Sequence, residues 1–161
     1  MVLVRTAAPE DWENLRDIRL AALRDAPDAF GSTYAEQAAF TREQWLGRIA
    51  GNSTFLAYLD GGGTDPVGLA GGYQEEPGVI ELVSMWVGPE ARGHGVGEAL
   101  IDAVADWAAT ITNAVTLHLW VTENNKPAVR LYERCGFIPT GERQPLPSNP
   151  ALTEIAMSRP L

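Results

Sequence analysis

At 161 residues, 45% hydrophobic and 20% charged, the chain has the proportions of an ordinary globular protein, and one domain over 1–161 is expected. Its 12 basic residues never cluster and stand against 21 acidic ones, a net charge of −9, which argues against nucleic-acid or anionic-membrane partners. No apolar run spans a bilayer, Met1–Arg5 does not read as a secretory signal, Cys135 has no disulfide partner and the histidines lack zinc spacing, so a cytoplasmic protein without metal is expected.

Val2–Val4 with Arg5-Thr6 reads as a first strand. Pro9-Glu10-Asp11 opens a helix whose apolar face carries Trp12, Leu15, Ile18 and Ala22, until Pro27 stops it. Residues 25–40 mix Pro, Gly, Ser and aromatics and read as a loop or broken helix. Thr41 and Gln44 form a capping-box start for a short helix carrying Trp45, Leu46 and Ile49. The period then changes to that of strands: Thr54–Leu59, a turn at Asp60–Gly63, Val67–Tyr73, a turn at Pro77-Gly78, and Val79–Val87. Glycines in Val67–Tyr73 point to irregularity or close backbone approach. Alternation along Val79–Val87 puts Glu81, Val83, Met85 and Val87 on one side. A strong amphipathic helix at 95–109 follows, then a strand at Val115–Val121, a helix at 126–135 and a strand from Phe137. Pro145, Pro147 and Pro150 mark a loop before a last strand around Leu152–Met157. The order β-α-α-β-β-β-α-β-α-β-β gives an α/β fold with a mixed sheet and helices on both faces.

Arg92-Gly93-His94-Gly95-Val96-Gly97 joins the longest strand to the strongest helix. The first amides of a helix lack internal partners and carry partial positive charge, and glycines let an anion approach them. A Walker loop is ruled out, because the chain lacks its Lys and hydroxyl residue here. A dinucleotide fingerprint would require glycine where Glu98 stands. A glycine-rich turn that merely starts a helix would look the same in isolation.

About thirty residues on comes Asn125-x-x-Ala128-x-x-x-Tyr132-x-x-x-Gly136-Phe137. Together with Arg92-x-x-Gly95-x-Gly97, it resembles the two core motifs of the GNAT superfamily of acyl-CoA-dependent N-acyltransferases, and the element order matches over nearly the whole chain. The resemblance implies a mostly antiparallel mixed sheet of six to seven strands, splayed at a central parallel pair. It implies acetyl-CoA as cosubstrate, with main-chain amides of Arg92, Gly93, His94, Gly95, Val96 and Gly97 holding the pyrophosphate. Met85 and Val87 would meet the thioester and pantetheine through their backbones, and Asn125 would contact the pantetheine arm unless it only caps its helix. Tyr132 stands at the place of the general acid; a space-filling helix tyrosine is the alternative. Glu81, four residues before Met85, matches the base of the histone-acetylating branch, with a solvent-exposed strand-end carboxylate as the alternative. The branch acting on ribosomal-protein N-termini keeps a glutamate where this chain has Trp120.

His94 fits a surface role or a phosphate hydrogen bond and His118 a structural role better than catalysis, and Cys135 lacks a neighbour to activate it. The family's acceptor segments correspond here to residues 25–40 and 141–152. These offer Asp25, Asp28, Phe30, Tyr34, Glu36, Phe40, Glu142, Arg143 and Asn149, a set suited to a cationic amine. A small-molecule amine acceptor is the expectation. A peptide or protein acetyltransferase and a non-catalytic acyl-CoA sensor are the other readings, and a homodimer is left open because dimers are common in the family.

Overall fold

The computed structural model describes residues 1–60 and 64–161; the turn expected at Asp60–Gly63 falls largely outside them. Strands β1 (Val2–Thr6), β2 (Thr54–Leu59), β3 (Gly68–Glu76), β4 (Val79–Val87), β5 (Thr116–Thr122), β6 (Ile138–Leu146) and β7 (Asn149–Pro160) form one sheet in the order β1-β2-β3-β4-β5-β7-β6. Every neighbouring pair is antiparallel except β4–β5. Helices α1 (Trp12–Asp25), α2 (Tyr34–Ala38) and α3 (Arg42–Ile49) precede β2; α4 (Val96–Ile111) links β4 to β5, and α5 (Lys126–Arg134) links β5 to β6.

The two sheet faces carry separate cores. Leu15, Ile18, Ala22 and Leu23 of α1 and Trp45 and Ile49 of α3 bury one face against Leu56 and Leu69. On the other, Leu100, Ile101, Val104 and Ala108 of α4 pack with Ile80, Leu82, Leu117 and Leu119, and α5 adds Tyr132. The apolar stripes read from sequence are the stripes that pack, apart from Leu46, which lies outside both cores. The glycines of β3 serve close approach: a Cβ on Gly72 would lie 2.5 Å from the Trp107 ring, and one on Gly68 3.0 Å from Val96 Cγ1.

Three expectations need revision. Pro9–Asp11 forms a 3-10 turn before α1, where Asp11 accepts from the Ala8 amide at 2.8 Å and from both Arg5 Nη atoms at 2.7 and 2.9 Å. Residues 25–40 include α2, a short helix capped by Thr33, whose Oγ1 accepts from the Glu36 amide at 3.2 Å. The three prolines do not mark a long loop: β6 runs through Pro145, and β7 begins at Asn149 after a two-residue turn. Because β6 is an edge strand, its prolines can turn their missing donors away from the ladder. No described helix is long and apolar enough to cross a membrane.

Candidate active site

β4 and β5 pair only at Val79–Thr116, Ile80–Leu117 and Glu81–His118. Beyond Glu81 the two strands part, while β4 stays paired with β3 as far as Val87–Gly68. The Gly88 amide donates to Val67 O at 2.8 Å, the pattern that flanks a non-hydrogen-bonded antiparallel pair at Val87–Gly68. The amide and carbonyl of Val87 are therefore turned away from β3, into the gap, and its carbonyl accepts from Arg92 Nε at 3.0 Å.

A bulge lies inside this stretch. Leu69 pairs with Trp86 and Gly71 with Val83, so β4 spends one more residue than β3, and Ser84 takes a left-handed φ of 60° to absorb it. The expected alternation of Glu81, Val83, Met85 and Val87 on one side fails here. Ile80 and Leu82 face α4 before the bulge, leaving Glu81 and Val83 on the α1–α3 face; after it, Met85 and Val87 pack on the α4 side and Trp86 joins the α1–α3 core.

The glycine loop opens onto the same gap. Gly93 and Gly95 adopt φ of +83° and +79°, with open space where a Cβ would stand. Gly95 is the residue before α4, and among the described residues none of the amides from Gly93 to Glu98 donates to a main-chain carbonyl. These donors fit the pyrophosphate of coenzyme A, since they are unpaired, convergent at a helix N-terminus and unobstructed by side chains. Gly97 serves packing as well: a Cβ there would lie 3.0 Å from Leu131 Cδ2 and 3.3 Å from Met85 Cε. Arg92 differs from its loop neighbours. Its amide donates to Pro89 O at 3.4 Å, and its guanidinium turns inward to Asp25 Oδ2 at 2.9 Å, an oxygen that Trp86 Nε1 also meets at 3.0 Å. Both partners hold the Asp25 carboxyl below the usual aspartate range.

A cleft of about 740 Å³ runs from this loop along the parted strands, between Met85–Val87 and α5. Gly93, Gly95, Val96, Gly97, Met85, Val87, Arg92, Asn125 and Tyr132 all line it; His94 does not, and its side chain is exposed. Asn125 caps α5, its Oδ1 accepting from the Ala128 amide at 3.4 Å. Behind the cleft lies a second cavity of about 360 Å³, lined by Arg19, Phe30, Arg48, Glu81, Trp120 and Glu154 among others. Ala29, Met85 and Tyr132 border both spaces.

Tyr132 is buried, 7% exposed, with its ring edge-on to Phe137 at 5.7 Å. Burial, with a smaller contribution from Cys135, pushes its phenol well above the usual tyrosine range, so it holds its proton at neutral pH. Burial first, and then the like charge of Glu75, raise the Glu81 carboxyl, while His118 opposes them. His118 Nδ1 lies 3.7 Å from Glu81 and 3.9 Å from Glu75, buried and without a hydrogen-bond partner. Its ring is edge-on to Trp120 at 5.6 Å. Burial also raises the Glu154 carboxyl, which accepts from Gln144 Nε2 at 2.6 Å.

The sequence profile of the Acetyltransferase (GNAT) family matches residues 12–137. The chain belongs to the GNAT acetyltransferase family. It is 34% identical over 148 residues to a mycothiol acetyltransferase of Mycolicibacterium paratuberculosis, an alignment covering 84% of this chain and 46% of that protein. The chain thus spans about half the length of the mycothiol acetyltransferases it matches. A GCN5-related N-acetyltransferase of Kribbella flavida superposes with a TM-score of 0.77 at 26% identity, covering 99% of this chain and 98% of that one. The yncA protein of Salmonella typhimurium, solved with its cofactor acetyl-CoA, shares the fold at 17% identity with a TM-score of 0.79, covering 100% and 94% of the two chains.

The acceptor-side expectation for this GNAT protein needs correction. Of the residues named, Phe30 lines the second cavity, but Asp25 belongs to the larger cleft and is tied to Arg92. Asp28 Oδ1 takes Asn149 Nδ2 at 3.4 Å, Tyr34 Oη accepts from Arg24 at 2.6 Å, and Glu36 Oε1 accepts from Thr33 Oγ1 at 3.0 Å. Glu142 and Arg143 line a separate groove, where Arg143 binds Glu123 through two bonds of 2.9 Å. The carboxylates at the second cavity are Glu81 and Glu154, and the cations are Arg19 and Arg48. Arg19 carried a sequence signal: it stands three residues before Ala22 and four after Leu15, on the buried face of α1. Glu154 carried none.

Proposed function

We propose that the chain transfers an acetyl group from acetyl-CoA directly to a primary amine of a small molecule. The observation that carries this reading is that Met85 and Tyr132 border both the coenzyme cleft and the second cavity, so an acyl donor and an amine would meet between them. Acetyl-CoA supplies the activated acyl group. The amides of residues 93–98 hold the pyrophosphate, and the parted edge of β4 offers Val87 to the pantetheine arm. The Met85 amide is the donor for the carbonyl oxygen as negative charge develops there. Glu81, ionised, takes the proton of the attacking ammonium, directly or through water, and Tyr132 gives its proton to the departing thiolate.

A cavity of about 360 Å³ suits a small acceptor. The name of the mycothiol acetyltransferases speaks for small-molecule acceptors in the relatives matched over most of this chain. The test is thiol release from acetyl-CoA against polyamines, aminoglycosides, amino acids and short peptides, with the acetylated product identified by mass. Turnover of a small amine supports the reading. Acetyl-CoA binding without turnover of any acceptor would favour a sensor, and turnover of peptides alone would redirect it to protein acetylation.

A further inference from the structure

Arg19 is 5% exposed, on the face of α1 that packs against the sheet. Nε donates to Gln37 Oε1 at 2.9 Å, the guanidinium lies 4.7 Å from the centre of the Phe30 ring, and Nη1 is buried with no partner. Among the described residues no carboxylate lies within ion-pair distance of Arg19 or of Arg48. Arg48 stacks on Phe40 and Trp45 at 5.4 and 5.9 Å, and like Arg19 it lines the second cavity. Burial and the neighbouring positive charge of Arg48 push Arg19 down to about 10, which leaves it charged at neutral pH. An unpaired charge removed from water is costly, and native proteins rarely keep one without an ion to meet it.

The two arginines occupy one part of the cavity. A smaller space of about 210 Å³ adjoins it, and Arg19, Arg48, Tyr73, Val83 and Ser84 line both. Glu81, Glu154, Trp120 and Tyr132 line only the larger one. The cavity is thus bipolar: carboxylates beside the reacting groups, and guanidiniums where it runs into the smaller space.

We propose that Arg19 and Arg48 form an oxyanion-binding subsite for the acceptor, so that the preferred substrate carries a carboxylate or phosphate as well as its amine. The anion pairs with the guanidiniums and leaves the ammonium to Glu81. This specificity rests on the acetyl-transfer reading; the subsite itself does not.

The first test is fluorine NMR of trifluoroacetate, with coenzyme A saturating so that the glycine loop is occupied. The trifluoroacetate signal should broaden with the wild-type protein, much less with Arg48→Ala, and not with Arg19→Met. Absence of broadening in the wild type overturns the subsite, as does equal broadening in folded variants. If Arg19→Met fails to fold, Arg48→Ala decides. The second test compares turnover in matched pairs, glycine against methylamine and phosphoethanolamine against ethanolamine. The anionic member of at least one pair should have a kcat/KM about ten-fold higher or more, the worth of one charge-assisted hydrogen bond, and which pair responds tells carboxylate from phosphate. Equal turnover within both pairs overturns the specificity. Trifluoroacetate binding without any acetyl transfer would sustain the subsite and count against the transferase reading alone.

Discussion

Glu81 and His118 face each other on the last rung that β4 and β5 share, with Glu81 Oε1 3.7 Å from His118 Nδ1. The proposed base therefore sits at the fork where the strands begin to part, anchored by a paired backbone on both sides. Glu75 approaches the same imidazole nitrogen, 3.9 Å from Nδ1. The three groups could together hold a cation; burial of Glu81, reinforced by the like charge of Glu75 and opposed by His118, makes its carboxyl ionise late.

Activity should follow from that. Since Glu81 must be ionised to act, kcat/KM should rise as pH climbs through its elevated pKa. Glu75→Gln removes a like charge and should move this acid limb to lower pH. Glu81→Gln should abolish the limb and cost about 10²–10⁴ in rate. Stability runs the opposite way. A carboxyl whose folded pKa is raised contributes stability fully present below the usual glutamate value of 4.5 and lost as pH rises through the folded pKa. Glu81→Gln should accordingly melt higher than wild type at neutral pH and show no such gain in acid. Thermal melts across pH, beside the rate profiles, check both.

Tyr132→Phe separates packing from proton transfer. The ring edge against Phe137 is retained, so the melting temperature and the affinity for acetyl-CoA should hardly change. Thiol release should fall by about 10²–10⁴, the range for loss of a general acid. The phenol is held well above its ordinary range, so no basic limb from Tyr132 should appear near neutrality in the wild type. An unaltered turnover rate in Tyr132→Phe would assign the thiolate's proton to water.

The glycine loop is legible because its signal is local, glycines at the start of a helix, whereas Tyr132 stands out through the resemblance of Asn125-x-x-Ala128-x-x-x-Tyr132 to the GNAT motif. Five of the seven strands are also legible near their observed bounds; β6 has a legible start but no end, because Pro145 reads as loop, and β7 reads too short. The bulge at Ser84 was not legible. Nothing in Leu82-Val83-Ser84-Met85 marks a left-handed serine, and the shift exists only because Leu69 and Gly71 across the ladder fix the register. The lining of the second cavity is not legible in the sequence for a related reason. Asp28, Glu36 and Glu142 attract notice in loops, yet Arg19 and Glu154, separated by most of the chain, meet around one space only after the sheet has formed.

The glycine loop offers two distinct failures. Gly95→Ala meets no steric obstacle but must hold φ near +79°, a cost of about 1–2 kcal/mol for an L-residue. Stability should drop by about that much, with weaker acetyl-CoA binding as the loop relaxes. Gly97→Ala has ordinary backbone angles but places its methyl 3.0 Å from Leu131 Cδ2 and 3.3 Å from Met85 Cε. Overpacking of about 1–3 kcal/mol is expected, along with displacement of Met85 from the junction of the two cavities. Urea titrations paired with calorimetric binding of acetyl-CoA distinguish them: Gly97→Ala should lower turnover of bound substrate, whereas Gly95→Ala should act chiefly on affinity.

Asp25 ends α1 and reaches across to the glycine-loop side, where one of its oxygens receives both Trp86 Nε1 and Arg92 Nη2. Arg92 in turn donates Nε to the carbonyl of Val87, so the carboxylate fixes the side chain that caps the open end of β4. Asp25→Ala frees that guanidinium and should loosen the segment between Val87 and Gly93. The exposed ion pair itself contributes little stability, about 0–1 kcal/mol, so melting should change only slightly. Coenzyme binding should suffer more, with Kd for acetyl-CoA raised about ten-fold, roughly the worth of one charge-assisted hydrogen bond. Asp25→Asn keeps an oxygen acceptor for Trp86 but loses the charge facing Arg92, and should fall between the two. Should calorimetry find wild-type affinity in Asp25→Ala, the Arg92 clamp has no part in holding the coenzyme and the free amides of the loop suffice.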